Sequence, residues 1–281
     1  MKVKICADSV CDLSPELIEK YRLPVLPLYV ILDGKEHRDG VDIVPEDIYN
    51  HVAKGGAIGS TAALSVADYI EFFTKQLEDA DEIVHFHISS SMSACYQNAC
   101  IAAEEVGNVY PIDSENLSTG IGLQIIDAFE MAEKGMSGEE IQSAINFRRG
   151  NVEASFVVDS VDFLHKGGRC SAVAALGANL LGLKPCIEVV DGAMGVAKKY
   201  RGKIAKCLIQ YVRERLEGRE DIDTRKIFIT NSGGFTDEEL QAVEDEVKKH
   251  QNFEQIFHTR AGCTVSNHCG SKTLGILFER K

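Results

Sequence analysis

Four serines, Ser89, Ser90, Ser91 and Ser93, crowd into five positions directly after the apolar run Ile83, Val84, Phe86, Ile88. The run reads as a buried strand, and the residues beyond Ser93 carry a helical pattern. A helix start offers unpaired backbone N–H groups and the positive end of the helix dipole, and hydroxyls placed there add donors. Such a turn suits an anion, a phosphate or a carboxylate. The same serines also fit ordinary N-cap chemistry. Three other polar pieces stand out: Gly59-Ser60-Thr61, Lys198-Lys199-Tyr200-Arg201 and Ser266-Asn267-His268-Cys269-Gly270. His85 and His87 sit at i and i+2 on one strand face, a spacing shared by metal chelates and by structural core pairs. Cys263, His268 and Cys269 offer three soft ligands but no fourth at usable spacing, so no metal is expected.

Several common chemistries lack their signatures. No G-x-S-x-G elbow marks an α/β-hydrolase nucleophile, and no G-x-G-x-x-G follows a strand to bind a dinucleotide. Gly270-Ser271-Lys272-Thr273 resembles the tail of a phosphate loop, but Ser271 stands where the lysine belongs. Asp8-Ser9, Asp113-Ser114 and Asp159-Ser160 end three strand-like segments. Ligands of open α/β sheets bind at such ends, although Asp and Ser are also simply favoured in turns.

The elements that must position these residues alternate. VKICADS (3–9), VLPLYVIL (25–32), 83–88 and NVYPIDS (108–114) read as strands. Between them, Ser14-Pro15-Glu16 starts one helix and 66–79 carries another. A later helix shows Ile121, Ile125, Phe129 and Ala132 on one face and ends at Gly135, and a Ser137–Glu140 capping box opens the next, 138–148. This rhythm predicts an α/β domain over residues 1–150, an open, mostly parallel sheet with helices on both faces. Beyond it, ASFVVDS (154–160), the KGGR turn (166–169), a small-residue helix, a hairpin through Asp191-Gly192, KIFITNS (226–232), a Thr236–Glu239 capping box and TLGILFER predict an α+β domain over 151–281.

At 281 residues and 44% hydrophobic content the chain can bury one large core or two ordinary ones. Thirty basic against 43 acidic residues give a net charge of −13, which argues against nucleic-acid binding and polybasic membrane attachment. Met1 leads straight into a strand, no apolar stretch is long enough for a transmembrane segment, and the nine cysteines lack a C-x-x-C pair. The expectation is a cytoplasmic protein whose cysteines act as small buried hydrophobes.

Six motifs in register make the chain similar to the DegV family of bacterial fatty acid-binding proteins. They are Asp8-Ser9-Val10-Cys11-Asp12-Leu13, the Asp39–Asp42 loop, Ile88–Ala99, Ile112–Ser114 with Gly120–Gly122, Phe163–Arg169, and Lys184–Gly192. The resemblance covers essentially the whole length. It implies a DegV-like fold of two α/β domains with a long-chain fatty acid between them. The carboxylate would be bound by Thr61, Ser93 and His268, with Arg201 and Ala94 near the head group. Arg169 would handle the acyl phosphate with a fatty acid kinase as partner. It implies a non-catalytic protein with no cofactor beyond the lipid. The chain departs from the family pattern at Ala62-Ala63, at Ala94-Cys95 and at Cys269–Lys272, all close to the expected head-group site. The segment 170–183, with small residues opposite Leu176, Leu180 and Leu183, would leave room for the tail, as would any core helix of this composition. The residues themselves leave a second reading open, an enzyme acting on a small carboxylated or phosphorylated substrate at the same cluster.

Overall fold

The structure, a computed structural model, describes residues 2–170 and 182–281. Its first sheet is built from β1 (Val3–Asp8), β2 (Val25–Leu26), β6 (Glu82–His87) and β7 (Val109–Asp113), all parallel, in the order β2-β1-β6-β7. Every residue of β6 is buried, as expected of a central strand covered on both faces. The covering helices are α1 (Pro15–Tyr21), α3 (Val66–Leu77), α4 (Cys95–Val106), α5 (Thr119–Glu133) and α6 (Gly138–Arg148), while α2 (Pro45–Ala53) packs elsewhere, against the end of the chain. Local signals set their ends: Ser14 accepts from the Leu17 N–H, the Ser137–Glu140 box closes, and Gly135 takes a φ of 82°.

One predicted strand is in fact two. Residues 25–32 contribute β2 to the parallel sheet, then cross at Pro27 into β3 (Tyr29–Leu32), the middle of an antiparallel sheet with β4 (Lys35–Arg38) and β5 (Ser60–Ala62). Pro27 has no N–H to give a ladder, and the Leu28 N–H goes to Ser9 Oγ at 3.1 Å instead. This break matters, because it sets Thr61 opposite Val30 on an edge strand of the antiparallel sheet.

The remaining elements are β8 (Val152–Val157), α7 (Asp162–Gly167), β9 (Leu183–Val190), β10 (Ala193–Arg201), α8 (Ile204–Leu216), β11 (Ile222–Asn231), α9 (Asp237–His250), β12 (Gln255–Arg260), α10 (Cys263–Cys269) and β13 (Leu274–Arg280). They form a six-stranded mixed sheet in the order β10-β9-β8-β13-β11-β12, parallel only between β11 and β12. The hairpin turns at Asp191 and Gly192 with φ of 49° and 77°, as its sequence predicts, and the Thr236–Glu239 box caps α9. The KGGR stretch is the end of α7 and its exit, with Gly168 at φ 66°. Most of the expected tail helix, 171–181, lies outside the described residues.

A core runs between the sheets. Ile5, Val84 and Phe86 of the first half share a cluster with Ala154, Phe228 and Leu277 of the second. Helix α5 passes through it, buried at every position from Thr119 to Ala128. The single apolar face read from its sequence was therefore too narrow, because this helix has protein on all sides over its first turns.

Candidate functional site

Strand β5, the serine turn, the end of α7 and helix α10 meet around one cavity. Its polar lining is Thr61, Ser93, Arg169, Thr264 and His268, and most of the rest is apolar, including Leu28, Ile88, Met92, Leu117, Met194 and Val265. The cavity is partly open toward solvent.

His268 is the most constrained of these side chains. Its Nε2 is 2.8 Å from Thr61 Oγ1, while Nδ1 is buried without a hydrogen-bond partner among the described residues. Burial first, and then the nearby Arg169 charge, draw its pKa down to about 4. The ring is therefore neutral at neutral pH and carries a single proton between its two nitrogens. Gly167 supports it from below: a Cβ there would stand 2.2 Å from Nδ1. Arg169 donates to the Gly167 carbonyl at 2.8 Å, which ties the guanidinium to the same corner.

Ser93 sits just before α4, not inside it. Ala94 is the N-cap, without a side-chain bond, and the Ser93 N–H is already donated to the Ser89 carbonyl at 3.2 Å. The expected cradle of paired N–H groups at Ser93 and Ala94 is thus reduced, because the turn uses one of them to close itself. The hydroxyl compensates. Ser93 Oγ accepts from the Cys95 N–H at 3.3 Å and donates to Cys95 Sγ at 3.1 Å. Sulfur is a weak acceptor, so this proton can swing to an oxygen anion at small cost. Ser89 serves the turn and its neighbour, donating to the Gly192 carbonyl of the hairpin at 2.7 Å.

What holds α10 in place comes from the far end of the chain. Asp12 Oδ1 accepts from the Gly262 N–H at 2.8 Å. Asp39 accepts from the Cys263 and Thr264 N–H groups at 2.7 and 2.9 Å. These carboxyl groups satisfy the free donors at the start of a short helix. Asp12 is also bonded by Ser118, yet burial holds its carboxyl up near 8. Asn267 adds a third tie, donating to the Gly59 carbonyl at 3.0 Å. Gly59 itself has no room for a side chain, since a Cβ would lie 2.5 Å from Leu32 Cδ2 and 2.7 Å from the Ile31 carbonyl.

The site thus gathers Thr61, Ser93, His268 and Arg169, all singled out by sequence. Ala94 is the N-cap of α4 and is not among the described residues that line the cavity. Arg201 stands exposed at the end of β10 opposite Leu183, and it is not among the described residues that line the cavity. Cys263, His268 and Cys269 do not converge on an ion: Cys263 Sγ donates to the Ile43 carbonyl at 3.2 Å, and among the described residues these three donors form no cluster of ligating size. The Gly270–Thr273 segment leads into strand β13, not into a helix, so the phosphate-loop likeness ends there. Asp12, Asp39, Asn267, Gly59 and Gly167 were missed as site residues. Their only signal was membership of the DSVCDL, DGVD and KGGR motifs and of the small polar pieces beside Thr61 and His268.

The first half's parallel sheet, the mixed sheet and the cavity define an α/β protein with a mainly apolar cavity that also carries hydroxyls, an imidazole and a guanidinium. The chain belongs to the DegV family: a family model described as "Uncharacterised protein, DegV family" matches residues 2–281. A DegV domain-containing protein of Clostridium acetobutylicum is 32% identical over 284 residues, covering 100% of this chain and 99% of the relative. One from Clostridium perfringens is 30% identical, with 99% and 98% covered. Among solved structures, a DegV family protein from Thermus thermophilus described for its fatty acid binding has a TM-score of 0.89 at 29% identity, with both chains fully covered. A stearic acid-binding protein from Eubacterium ventriosum has a TM-score of 0.83 at 27% identity, with 99% of this chain and 98% of that one covered. Among the described residues no helix is long and apolar enough to cross a membrane.

Proposed function

We propose that this chain binds a long-chain fatty acid without catalysing a reaction, with the carboxylate at Thr61, Ser93 and His268 and the tail in the apolar cavity. The observation that carries the reading is the make-up of the cavity: Thr61, Ser93, Arg169, Thr264 and His268 line it, with Thr61 Oγ1 2.8 Å from His268 Nε2, and most other lining residues are apolar. The solved relatives described as fatty acid-binding support it. A tail of roughly 15 methylenes at ~0.8 kcal/mol each offers on the order of 12 kcal/mol from burial. Several kcal/mol are lost to desolvating the carboxylate and to immobilisation. The tail therefore drives affinity and the polar head sets orientation. Thr61 and Ser93 donate hydroxyl protons to the carboxylate, neutral His268 donates its single N–H to Thr61 Oγ1 and so turns that hydroxyl proton toward the anion, and the Arg169 charge steadies the anion from the rim. The same reading places the protein in the cytoplasm and has the head group presented to a fatty acid kinase, with Arg169 beside the phosphoryl group as it is transferred. Arg201 and Ala94 would border the head group.

Native mass spectrometry of protein purified from a bacterial host tests this directly. The expected result is one added mass matching a long-chain acid, about C14–C18. A clean apo mass, together with no saturable fatty acid binding on titration, overturns the proposal. The kinase arm is tested separately by adding a fatty acid kinase and following acyl phosphate, which is expected to fall in Arg169→Ala while lipid binding persists.

A further inference from the structure

Away from the cavity, the first sheet buries a cluster that the lipid reading does not use. His85 and His87 point to the same face of β6, and Asp8, at the carboxyl end of the neighbouring β1, stands beside them. All three are 0% exposed. One carboxylate oxygen and one nitrogen of each ring lie within 4.8 Å of one another, and none of the three lines the Thr61–His268 cavity.

The surroundings are those of ligands already oriented. His87 Nδ1 is 3.1 Å from the Ile112 carbonyl, which can only accept, so the ring proton sits on Nδ1 and the lone pair on Nε2. That Nε2 is buried and has no hydrogen-bond partner among the described residues. Asp8 is held by the Tyr69 hydroxyl at 3.0 and 3.1 Å and by His85 Nε2 at 2.9 Å. Aromatic rings of Phe72 and Phe73 close against His85, leaving a dry wall. An imidazole whose other nitrogen donates to a backbone carbonyl, and a carboxylate oriented by a hydroxyl, are the outer-layer arrangement of metal sites.

We infer that Asp8, His85 and His87 form a binding site for one divalent transition-metal ion, of the Zn²⁺ or Co²⁺ type. Two imidazoles and one carboxylate suit ions of borderline softness, whereas Ca²⁺ and Mg²⁺ require oxygen shells. Bonds of about 2.0–2.1 Å draw the three donors together from their present spacing, and the Tyr69 oxygen, 3.0 Å from Asp8, is a further donor beside them. The ion would fasten β1 to β6 and give the orphaned His87 lone pair a partner.

The test uses the full chain, stripped with a chelator and incubated at length with Co²⁺, because the cluster is enclosed. One Co²⁺ per chain with the visible bands of a four-coordinate site is expected, displaced by Zn²⁺. His87→Gln should weaken binding by roughly 100-fold. His258→Gln, which alters a surface histidine bonded to Glu244, should leave it unchanged. Since a core substitution can disturb folding, X-ray absorption on the unmodified protein supplies a second readout, an all-N/O shell with two imidazoles. Failure to retain one Co²⁺ per chain overturns the inference, as do bands that survive His87→Gln or disappear with His258→Gln. Those results would mean a metal-free core pair or an adventitious surface ion.

Discussion

Gly167 is a single residue on which the head of the cavity depends. A methyl group there meets His268 Nδ1 at 2.2 Å, so the imidazole must turn and its bond to Thr61 must go. Gly167→Ala is expected to cost about 1–3 kcal/mol of stability through overpacking. Fatty acid affinity should drop about tenfold, as read by titration of a fluorescent acid. Ser93→Ala removes one donor to the ligand and the acceptor of the Cys95 N–H; a loss of about 1 kcal/mol in binding is expected, again by titration. Asp12 makes a prediction with a sign. Its folded pKa is raised from 3.8 to about 8, so the folded state holds a proton that the unfolded state has lost. Its contribution to stability is full near pH 4 and is lost as pH rises toward 8. Asp12→Asn removes that titration. Wild type should therefore exceed the variant by most in acid, and the gap should narrow toward pH 8 in urea melts. A gap that widens with pH would show the carboxyl to be ionised in the fold.

At the level of elements, the helices with local caps were legible and α10 was not. Ser137–Glu140 and Thr236–Glu239 announce their helices within four residues, and the structure closes both boxes. Helix α10 begins after Gly262 without a side-chain cap of its own, and its donors are met by Asp12 and Asp39. No window along the sequence contains that information. The break at Pro27 was hidden for a related reason: an unbroken apolar run looks alike whether one sheet or two receives it. Thr61, Ser93, His268 and Arg169 were found through motifs, and the residues that aim them came only with the fold. Asp39→Asn, which keeps one acceptor where two N–H groups need one each, should cost about 1–3 kcal/mol. Amide exchange at Cys263 and Thr264 should quicken in the same variant.

Over the whole molecule, the two sheets are joined by charge as well as by core. Lys226 of β11 forms an ion pair with Asp127 of α5, both nearly fully buried, and Arg148 reaches the same carboxylate at 3.0 Å. Glu279 shares this cluster; burial, and then the Asp127 charge, push its pKa up to about 7. Lys226→Met leaves two buried acids short of a cation. A loss of about 3–5 kcal/mol is expected from the urea midpoint, with the two sheets still unfolding in one transition because α5 is common to both. Separate transitions would show that the halves are thermodynamically independent.

The clasp on α10 also sets an order of events during biosynthesis. The Asp12–Gly262 bond joins residues 250 positions apart, and the Asp39–Cys263 bond joins residues 224 apart. On a ribosome the parallel sheet can form long before residue 262 emerges, and until then Thr61 faces no imidazole. Contacts of such separation pay their loop-closure entropy last and slow the final step of folding. The apolar cavity is therefore incomplete in every nascent intermediate. A chain stalled short of α10 would expose that wall as a sticky surface for chaperones, and under the proposed function lipid could load only into the finished fold.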